Sequence, residues 1–339
     1  FKMYGNYAHQ DVPGVRKTDI LRDVDVTFSG ETVLSNGLTV GALINADGDG
    51  GDGFAVEDSF AYASGKWGRF SLGMEDGAAF MLQVAAPSAN DDVDGLETFV
   101  RPFSFATPAL TGTHFNTDVS VHGLDYDNDL TAGIDKFTYL IPLMGGFQAG
   151  ISYTPDVANF NPASRSLNGN NPDNVLDEYG DAWEVGARYE GKISDTVSYI
   201  AGAGYTAVNT EHTNASSTID TFKEWNTALD FDIGAYGIGA VYTENNGGAV
   251  RYNDSKTWVV GTDYTVGSVK YGASWLNNLH QESAAATIRT NRFTGGAVYE
   301  YGPGLTFRGT VSHVNTDAPA SIGAGISGTA VTIGTQILF

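Results

Sequence analysis

Short segments in which apolar and polar residues alternate recur roughly every twenty residues along this chain. One of them places Val24, Val26 and Phe28 on one face and Asp, Thr and Ser residues on the other. Such alternation is typical of a β-strand with one apolar face. Short turns and long loops alternate as the connections between segments, which pairs the segments into hairpins. With an opening strand over 1–10, the pattern predicts sixteen antiparallel strands.

The last segment of the sequence has the same pattern. Its apolar face carries Val331, Ile333, Ile337 and Phe339, and its other face carries Thr332, Gly334 and Gln336. In a soluble protein, an apolar terminal strand would be an adhesive sheet edge. A closed barrel has no edge, so we expect this strand to pair with the first strand and Phe339 to close the barrel.

Hydropathy alone is typical of a soluble protein, because 42% of the residues are hydrophobic and the mean hydropathy is −0.16. No window approaches the roughly 18 apolar residues of a membrane-spanning helix. A β-barrel averages out as polar, since only every second residue faces lipid. The even strand count and the aromatic residues near strand ends favour an all-β transmembrane antiparallel barrel, with residues 1–339 as one domain crossing the bacterial outer membrane many times. A soluble sandwich or propeller is the alternative.

Net charge and cysteine content exclude some partners and some kinds of site. The net charge of −22 argues against nucleic acid as a binding partner. The absence of cysteine excludes disulfides and thiolate–metal sites. Phe1 already lies in a strand pattern, so we expect an exported protein whose leader has been removed, and the pattern allows for mature residues before it.

Three segments carry a family resemblance: 22–28 (RDVDVTF), 38–41 (LTVG) and 68–80 (GRFSLGMEDGAAF). On these segments and the Phe339 ending, the chain resembles the sixteen-stranded general porins of Gram-negative bacteria, most closely the α-proteobacterial kind. The resemblance implies a homotrimer that contacts outer-membrane lipid and lipopolysaccharide. It also implies a third loop folded into each barrel and passive diffusion of small hydrophilic solutes.

The segment of about 75–132 is too long for an ordinary loop. Porin topology implies that its first part lies in the lumen and supplies acidic residues to the narrowest section: Glu75, Asp76, Asp91, Asp92, Asp94 and Glu97. Basic residues of the opposing wall would be Arg22, Arg69, Lys136, Arg188 and Arg308. Alternation places the last four away from the apolar face, whereas Arg22 shares the parity of Val24 and would face lipid unless a bulge intervenes. The alternative is that all these charges only solvate a wide lumen.

Opposed carboxylates and guanidinium groups would create a field across the narrowest section of a water-filled channel. With 40 acidic and 18 basic residues, we expect this channel to prefer cations. Two other hypotheses stay open: a channel selective for a sugar or small metabolite, and a non-conducting barrel acting as an adhesin or structural anchor. We expect no enzyme, because the six histidines lie outside any catalytic motif spacing, and no required cofactor.

Two acidic runs have the close carboxylate spacing of calcium loops. One contains Asp47, Asp49 and Asp52, and the other contains Asp125, Asp127 and Asp129. Neither run continues to the glutamate that completes an EF-hand. A structural Ca²⁺ ion in either run is therefore one hypothesis, and a solvated acidic loop is the other.

Overall fold

The computed structural model of the chain describes residues 1–48, 55–104, 124–157, 175–319 and 325–339. Within them, seventeen strands form one antiparallel sheet that curves into a nearly closed barrel, so the predicted all-β barrel is confirmed. None of the helices in these ranges has the length and apolar character needed to cross a membrane.

The strands are β1 (Lys2–Gln10), β2 (Thr18–Asp23), β3 (Asp25–Val33), β4 (Thr39–Asp47), β5 (Ala55–Gly65), β6 (Gly68–Glu75), β7 (Ile134–Leu140), β8 (Phe147–Thr154), β9 (Tyr179–Ser194), β10 (Val197–Thr210), β11 (Phe222–Ile233), β12 (Tyr236–Asn245), β13 (Ser255–Val266), β14 (Val269–Ser283), β15 (Ala286–Gly302), β16 (Leu305–Asp317) and β17 (Ile326–Ile337). Two single-turn helices, α1 (Ala78–Met81) and α2 (Asp91–Asp94), lie between β6 and β7.

The first and last strands meet. β1 lies between β17 and β2, with Lys2 opposite Gln336 in one ladder and opposite Asp23 in the other. At the end of the β1–β17 pair, the amide of Ile337 donates to the carbonyl of Phe1 at 2.8 Å, and the ammonium of Phe1 donates to the carbonyl of Ile337 at 3.0 Å. Phe339 lies two residues farther along and is fully exposed. The strand β17 therefore closes the barrel on β1, but the predicted role of the Phe339 side chain in this closure is wrong.

The strand count exceeds the predicted sixteen because the second predicted strand is divided at Val24. β2 pairs with β1, whereas β3 pairs with β4, and Val24 between them belongs to neither ladder. The carbonyl of Val24 instead accepts the amide of Gly48 at 2.6 Å. In the described residues, the second edges of β2 and β3 have no strand partner, which leaves the barrel nearly closed.

The two faces of the sheet differ as the alternation predicts. The outer face exposes large apolar side chains, including Leu72, Leu229 and Val260. Aromatic rings form rows near the strand ends: on the long-loop side, the ring of Tyr242 lies 5.1 Å from that of Trp225 and 4.5 Å from that of Trp258. An apolar band between aromatic rows is typical of a lipid-facing surface.

The hydrophobic core lies between the inner face of the sheet and the segment that joins β6 to β7. Its largest cluster contains Val84, Ala86 and Tyr126 of that segment together with side chains of four neighbouring strands, Ala228, Val241, Val259 and Leu276. The segment between β6 and β7 is therefore held to the inner face by apolar packing, and the polar contacts below add to it.

Candidate functional site

The segment between β6 and β7 follows the inner face of the barrel from strand to strand. The amide of Ala78 donates to Ser152 of β8 at 2.8 Å, and Ser274 of β14 donates to Asp94 at 2.5 Å. Gln10 of β1 donates to the carbonyl of Ser104 at 2.6 Å. In chain order, these contacts progress around the barrel from β8 to β1, so the described part of the segment lines most of one side.

Arg308 of β16 holds the helix α2 against this wall. Its Nη1 donates to Asn90 at 2.9 Å, to Asp91 at 2.8 Å and to Asp92 at 2.9 Å. Its Nη2 donates to Gln336 on the neighbouring strand. Arg308 is buried, as is Asp92, whereas the side chain of Asp91 is 73% exposed. Arg308 therefore contacts the loop acids directly instead of facing them across open water, and only Asp91 of these acids faces solvent.

Asp92 has two further partners on β1. The hydroxyl of Tyr4 donates to it, and the ammonium of Lys2 lies 3.6 Å from its other oxygen. Lys2 also donates to Asp23 at 2.7 Å. Asp92 is only 3% exposed, so it acts as an anchor of the loop rather than as a charge lining open water.

Arg292 of β15 is a buried base that was missed in the sequence analysis. Its Nη1 donates to the carbonyl of Val93 at 3.2 Å. Burial raises the pKa of Asp94, and Arg292 and the hydrogen bond from Ser274 oppose that rise. Phe293 points outward with 51% exposure, so the alternation around it would have placed Arg292 on the inner face.

Lys136 lies beneath the two ends of the segment rather than on an open pore wall. It is 1% exposed, and its ammonium donates to the carbonyl of Glu75 and, at 2.7 Å, to that of Thr131. Glu184 of β9 lies beside it and accepts a hydrogen bond from the Thr131 hydroxyl at 2.8 Å. The carboxylates that this ammonium attracts are Asp58, Glu75, Asp76, Asp129 and Glu184. Lys136 thus joins the start and the end of the loop to the sheet.

The other predicted bases lie on the inner face or at a strand edge. Arg69 stacks on Tyr62 at 4.4 Å and lies 3.9 Å from the buried carboxylate of Glu75. Arg188 pairs with Glu190 at 2.6 Å, two residues along β9. Arg22 lies opposite Met3, which is exposed, so its strand position does not place it with the wall bases.

A cavity of about 460 Å³ adjoins Arg22 at the edge of β2. Its lining residues are Ile20, Leu21, Arg22, Glu97, Thr98, Phe99 and Arg101. Glu97 is half-buried there, away from the acids of α2. Asp76 is half-buried near Lys136, and burial raises its pKa while Lys136 opposes the rise. The six predicted loop acids therefore do not form one cluster.

At regular ladder positions, the inner face of β3, β4 and β5 carries four carboxylates: Asp25, Glu31, Asp47 and Asp58. We call this set the carboxylate wall. A further carboxylate, Glu57, lies in the β-bulge of β5, close to Asp25, Asp47 and Asp58. Asp25 lies opposite Asp47 in the β3–β4 ladder, and Asp58 lies opposite Asn45. These three strands contain no lysine or arginine, and the contacts of the loop described above fall on other strands. Asp25 and Glu31 are exposed, so the carboxylate wall borders the open part of the lumen.

Two aromatic rings share the inner face with the carboxylate wall. Tyr62 donates to Glu31 at 2.7 Å, and the guanidinium of Arg69 lies over the rings of Tyr62 and Phe60. Alternation alone would assign such rings to the lipid face. Their inward direction follows from the ladders, because Tyr62 lies opposite the buried, inward-facing Ser71 on one side and opposite Gly41 on the other.

The calcium hypothesis finds no geometric support at the second acidic run. Asp125 accepts hydrogen bonds from the amide and the hydroxyl of Thr98, and Arg101 lies 3.4 Å from its other oxygen. Within the described parts of the chain, no three carboxylate or histidine side chains converge in a way that could hold a metal ion. In the first run, Asp49 and Asp52 lie outside the described residues.

Asp127 provides a test of loop burial through pH. Burial and the neighbouring carboxylates Asp125, Glu97 and Glu224 raise its pKa well above the usual value of 3.8. A carboxyl group whose pKa is raised by folding adds stability below its unfolded pKa, and this stability is lost as the pH rises through the folded-state pKa. We therefore expect Asp127→Asn to stabilise the protein at alkaline pH and to flatten the pH dependence of thermal unfolding followed by circular dichroism. Asp195→Asn, in the exposed β9–β10 turn, is the control, and the same pH slope in both variants would contradict this burial.

The profile of the Gram-negative porin family matches residues 3–319 of this chain. A search of curated protein sequences gives no match. Among solved structures, an anion-selective porin from Comamonas acidovorans has a TM-score of 0.64 at 16% identity, with 100% of this chain and 97% of that chain covered. OmpT of Vibrio cholerae, in a form lacking loop L8, has a TM-score of 0.58 at 14% identity, with coverage of 99% and 97%. A variant of the Rh. blastica porin has a TM-score of 0.57 at 16% identity, with coverage of 100% and 99%.

At these identities the structural likeness concerns the fold, while the family profile spans nearly the whole chain. The profile match, the barrel and the lipid-facing outer surface agree with one another. The resemblance to porins found in the sequence is therefore confirmed. This chain belongs to the Gram-negative porin family, and as a barrel of that family it spans the outer membrane many times with its strands.

Proposed function

We propose that this porin forms a water-filled channel through which small hydrophilic solutes and ions diffuse passively, with a preference for cations. Family membership supports the channel. The observation that carries the cation preference is the carboxylate wall, in which three adjacent strands carry four acids and no lysine or arginine of their own. Two bases of the next strands lie beside it, Arg69 of β6 and Lys136 of β7, and they are outnumbered by these acids. The bases Lys2, Arg292 and Arg308, in contrast, are buried and engaged by the loop.

Charges that border the lumen affect ion selectivity more strongly than charges on the outer loops. Interactions between exposed charges are screened beyond a Debye length of about 8 Å at physiological ionic strength. Few waters separate a permeating ion from a wall in a narrow section, so the field of that wall acts almost unscreened. The Comamonas acidovorans porin is described as anion-selective, which is the opposite sign, so the preference of this chain has to be measured directly.

Family membership also supports our proposals for the remaining architecture. We propose one barrel domain of sixteen membrane passes, in which β2 and β3 together make one pass, with about 75–132 as the loop that narrows the channel. We further propose a homotrimer surrounded by outer-membrane lipid and lipopolysaccharide. Of the six predicted constriction acids, Asp91 and Glu97 would act on solutes, because Glu75, Asp92 and Asp94 are at most 3% exposed and Asp76 lies beside the buried Lys136.

A channel selective for one small metabolite or sugar is the second candidate. The observation that favours it is the pair of inner-face rings, Phe60 and Tyr62, beside Arg69 and Glu31. Aromatic faces next to charged groups are typical of sites that orient a ligand. Saturable block of the current by one solute, abolished in Tyr62→Ala, would favour this candidate over simple diffusion.

Planar-bilayer recording tests the proposed channel. The purified protein should produce ohmic conductance steps that appear in groups of three, since each trimer would insert three pores at once. Cross-linking in mild detergent should yield trimers in parallel. An inserted barrel without conductance would reject both channel hypotheses and leave the non-conducting adhesin or anchor, and single steps with only monomers after cross-linking would reject the trimer.

A further inference from the structure

Seven glycines on the inner face lie directly beneath residues 77–89 of the loop. They occupy six strands from β8 to β14: Gly150, Gly186, Gly202, Gly204, Gly239, Gly261 and Gly272. A glycine inside a strand weakens that strand, because it contributes no side chain to packing and loses more conformational entropy on folding than other residues. Such positions are expected where another backbone approaches the strand closely.

At three of these glycines, the backbone of the loop comes too close to the strand for any side chain. A Cβ atom on Gly261 would lie 1.8 Å from the carbonyl oxygen of Pro87, and one on Gly186 would lie 2.3 Å from that of Ala78. A Cβ atom on Gly272 would lie 2.4 Å from the amide nitrogen of Ala89. Backbone atoms cannot rotate away as the end of a side chain can, so an added methyl group would have to displace the loop.

The glycines are also aligned across the sheet. Gly150 lies opposite Gly186, and Gly186 lies opposite Gly204. Farther along, Gly239 lies opposite Gly261. Cross-strand partners point to the same face, so these rows form continuous strips of bare backbone on which the loop lies.

We propose that these glycines are positioning residues that set how far the loop projects into the channel. This proposal rests on the proposed function, since it concerns the width of the same pore. Larger residues here would lift residues 77–89 off the wall and toward the axis, which narrows the open section. The carboxylate wall on the other side would then lie closer to the loop, so the same displacement would change which solutes pass.

Single-channel conductance of Gly261→Ala and Gly186→Ala tests this proposal. We expect a loss of conductance in both variants, and a larger loss in Gly261→Val. Gly295→Ala and Gly309→Ala are matched controls, because an added Cβ at these outer-face positions would meet nothing nearer than 3.8 Å and 3.9 Å. An unchanged or larger conductance in the first pair, with folded barrels, would overturn the proposal.

Gly202 allows a compensation experiment. Its added Cβ would lie 2.7 Å from a methyl group of Val84, while the next atoms are at an ordinary 3.4 Å. Gly202→Ala should therefore lower conductance, and a second change, Val84→Ala, should restore it by removing the clashing methyl groups. If the double variant conducts no better than Gly202→Ala, the close contact does not position the loop.

Hydrogen exchange separates this proposal from the proposed function. Amides of residues 77–89 should exchange faster in Gly261→Ala than in the unmodified protein, while those of β13 should not, and this readout does not depend on conduction. Faster exchange in Gly261→Ala, together with an unmodified barrel that does not conduct, would reject the proposed function and keep the contact. Unchanged exchange together with normal conductance would reject the positioning role and keep the channel.

Discussion

Replacing Lys136 with methionine should destabilise the barrel by about 3–5 kcal/mol, the usual cost of removing one partner from a buried charge pair. The ammonium is 1% exposed and donates to the carbonyls of Glu75 and Thr131. It also attracts Asp76 and Glu184, which are close to it. Methionine fills much of the same volume but leaves these carboxylates without a compensating charge. Because Lys136 holds both ends of the loop, we also expect the single-channel conductance of Lys136→Met to fluctuate more than that of the unmodified protein.

Urea unfolding in detergent, followed by tryptophan fluorescence, measures this loss. Lys66→Met is the matched control, because Lys66 is exposed in the turn between β5 and β6. An equal shift of the two midpoints would show that Lys136 contributes no more than a surface charge. A smaller loss for Lys136→Met at acidic pH would support the stated cause, since protonated carboxyl groups no longer need the ammonium.

Neutralising the carboxylate wall should remove most of the cation preference. The variant carries Asp25→Asn, Glu31→Gln, Asp47→Asn and Asp58→Asn, which keep side-chain size and change only charge. We expect the reversal potential under a salt gradient to fall strongly toward zero in dilute salt. The change should be smaller in 1 M salt, where the Debye length is about 3 Å.

Four acids outside the inner face provide the control for overall charge. Asp11, Asp177, Asp195 and Asp220 are exposed in the connections between strands. Their joint replacement with Asn removes the same four charges, yet it should change the reversal potential little. Equal shifts from the two sets would mean that selectivity follows net charge, and the role proposed for the carboxylate wall would be wrong.

The barrel could be predicted from sequence because its rules are local. Alternation assigns each strand residue to a face, and short turns fix the pairing of neighbours, so the inward position of Arg308 follows from the outward position of Phe307. The same reasoning would have identified Arg292. The break at Val24 could not be predicted in this way, because it depends on which strand each half pairs with.

The contacts of the loop could not be predicted, since they join residues far apart in the chain. Lys136 has the parity of a lumen residue, but only the loop packed over it makes it a buried anchor rather than a pore charge. The sequence likewise predicts Asp92 and Asp94 as acids that line the channel, because it does not show the contacts that bury both of them against the barrel wall. For the inner-face glycines, alternation alone predicts that they face inward. The reason for glycine at these positions could not be predicted, because it depends on the contacts with Pro87 and Ala89 of the loop.

The reversal potential of the unmodified protein in a planar bilayer, under a potassium chloride gradient in dilute salt, tests the central claim most directly. Potassium and chloride have similar mobilities, so the sign of the potential reports the charge preference of the channel itself. A cation-selective channel bordered by the carboxylate wall predicts a potential of the sign that opposes potassium flow down its gradient. A potential of the opposite sign, or an inserted barrel that carries no current, would contradict it.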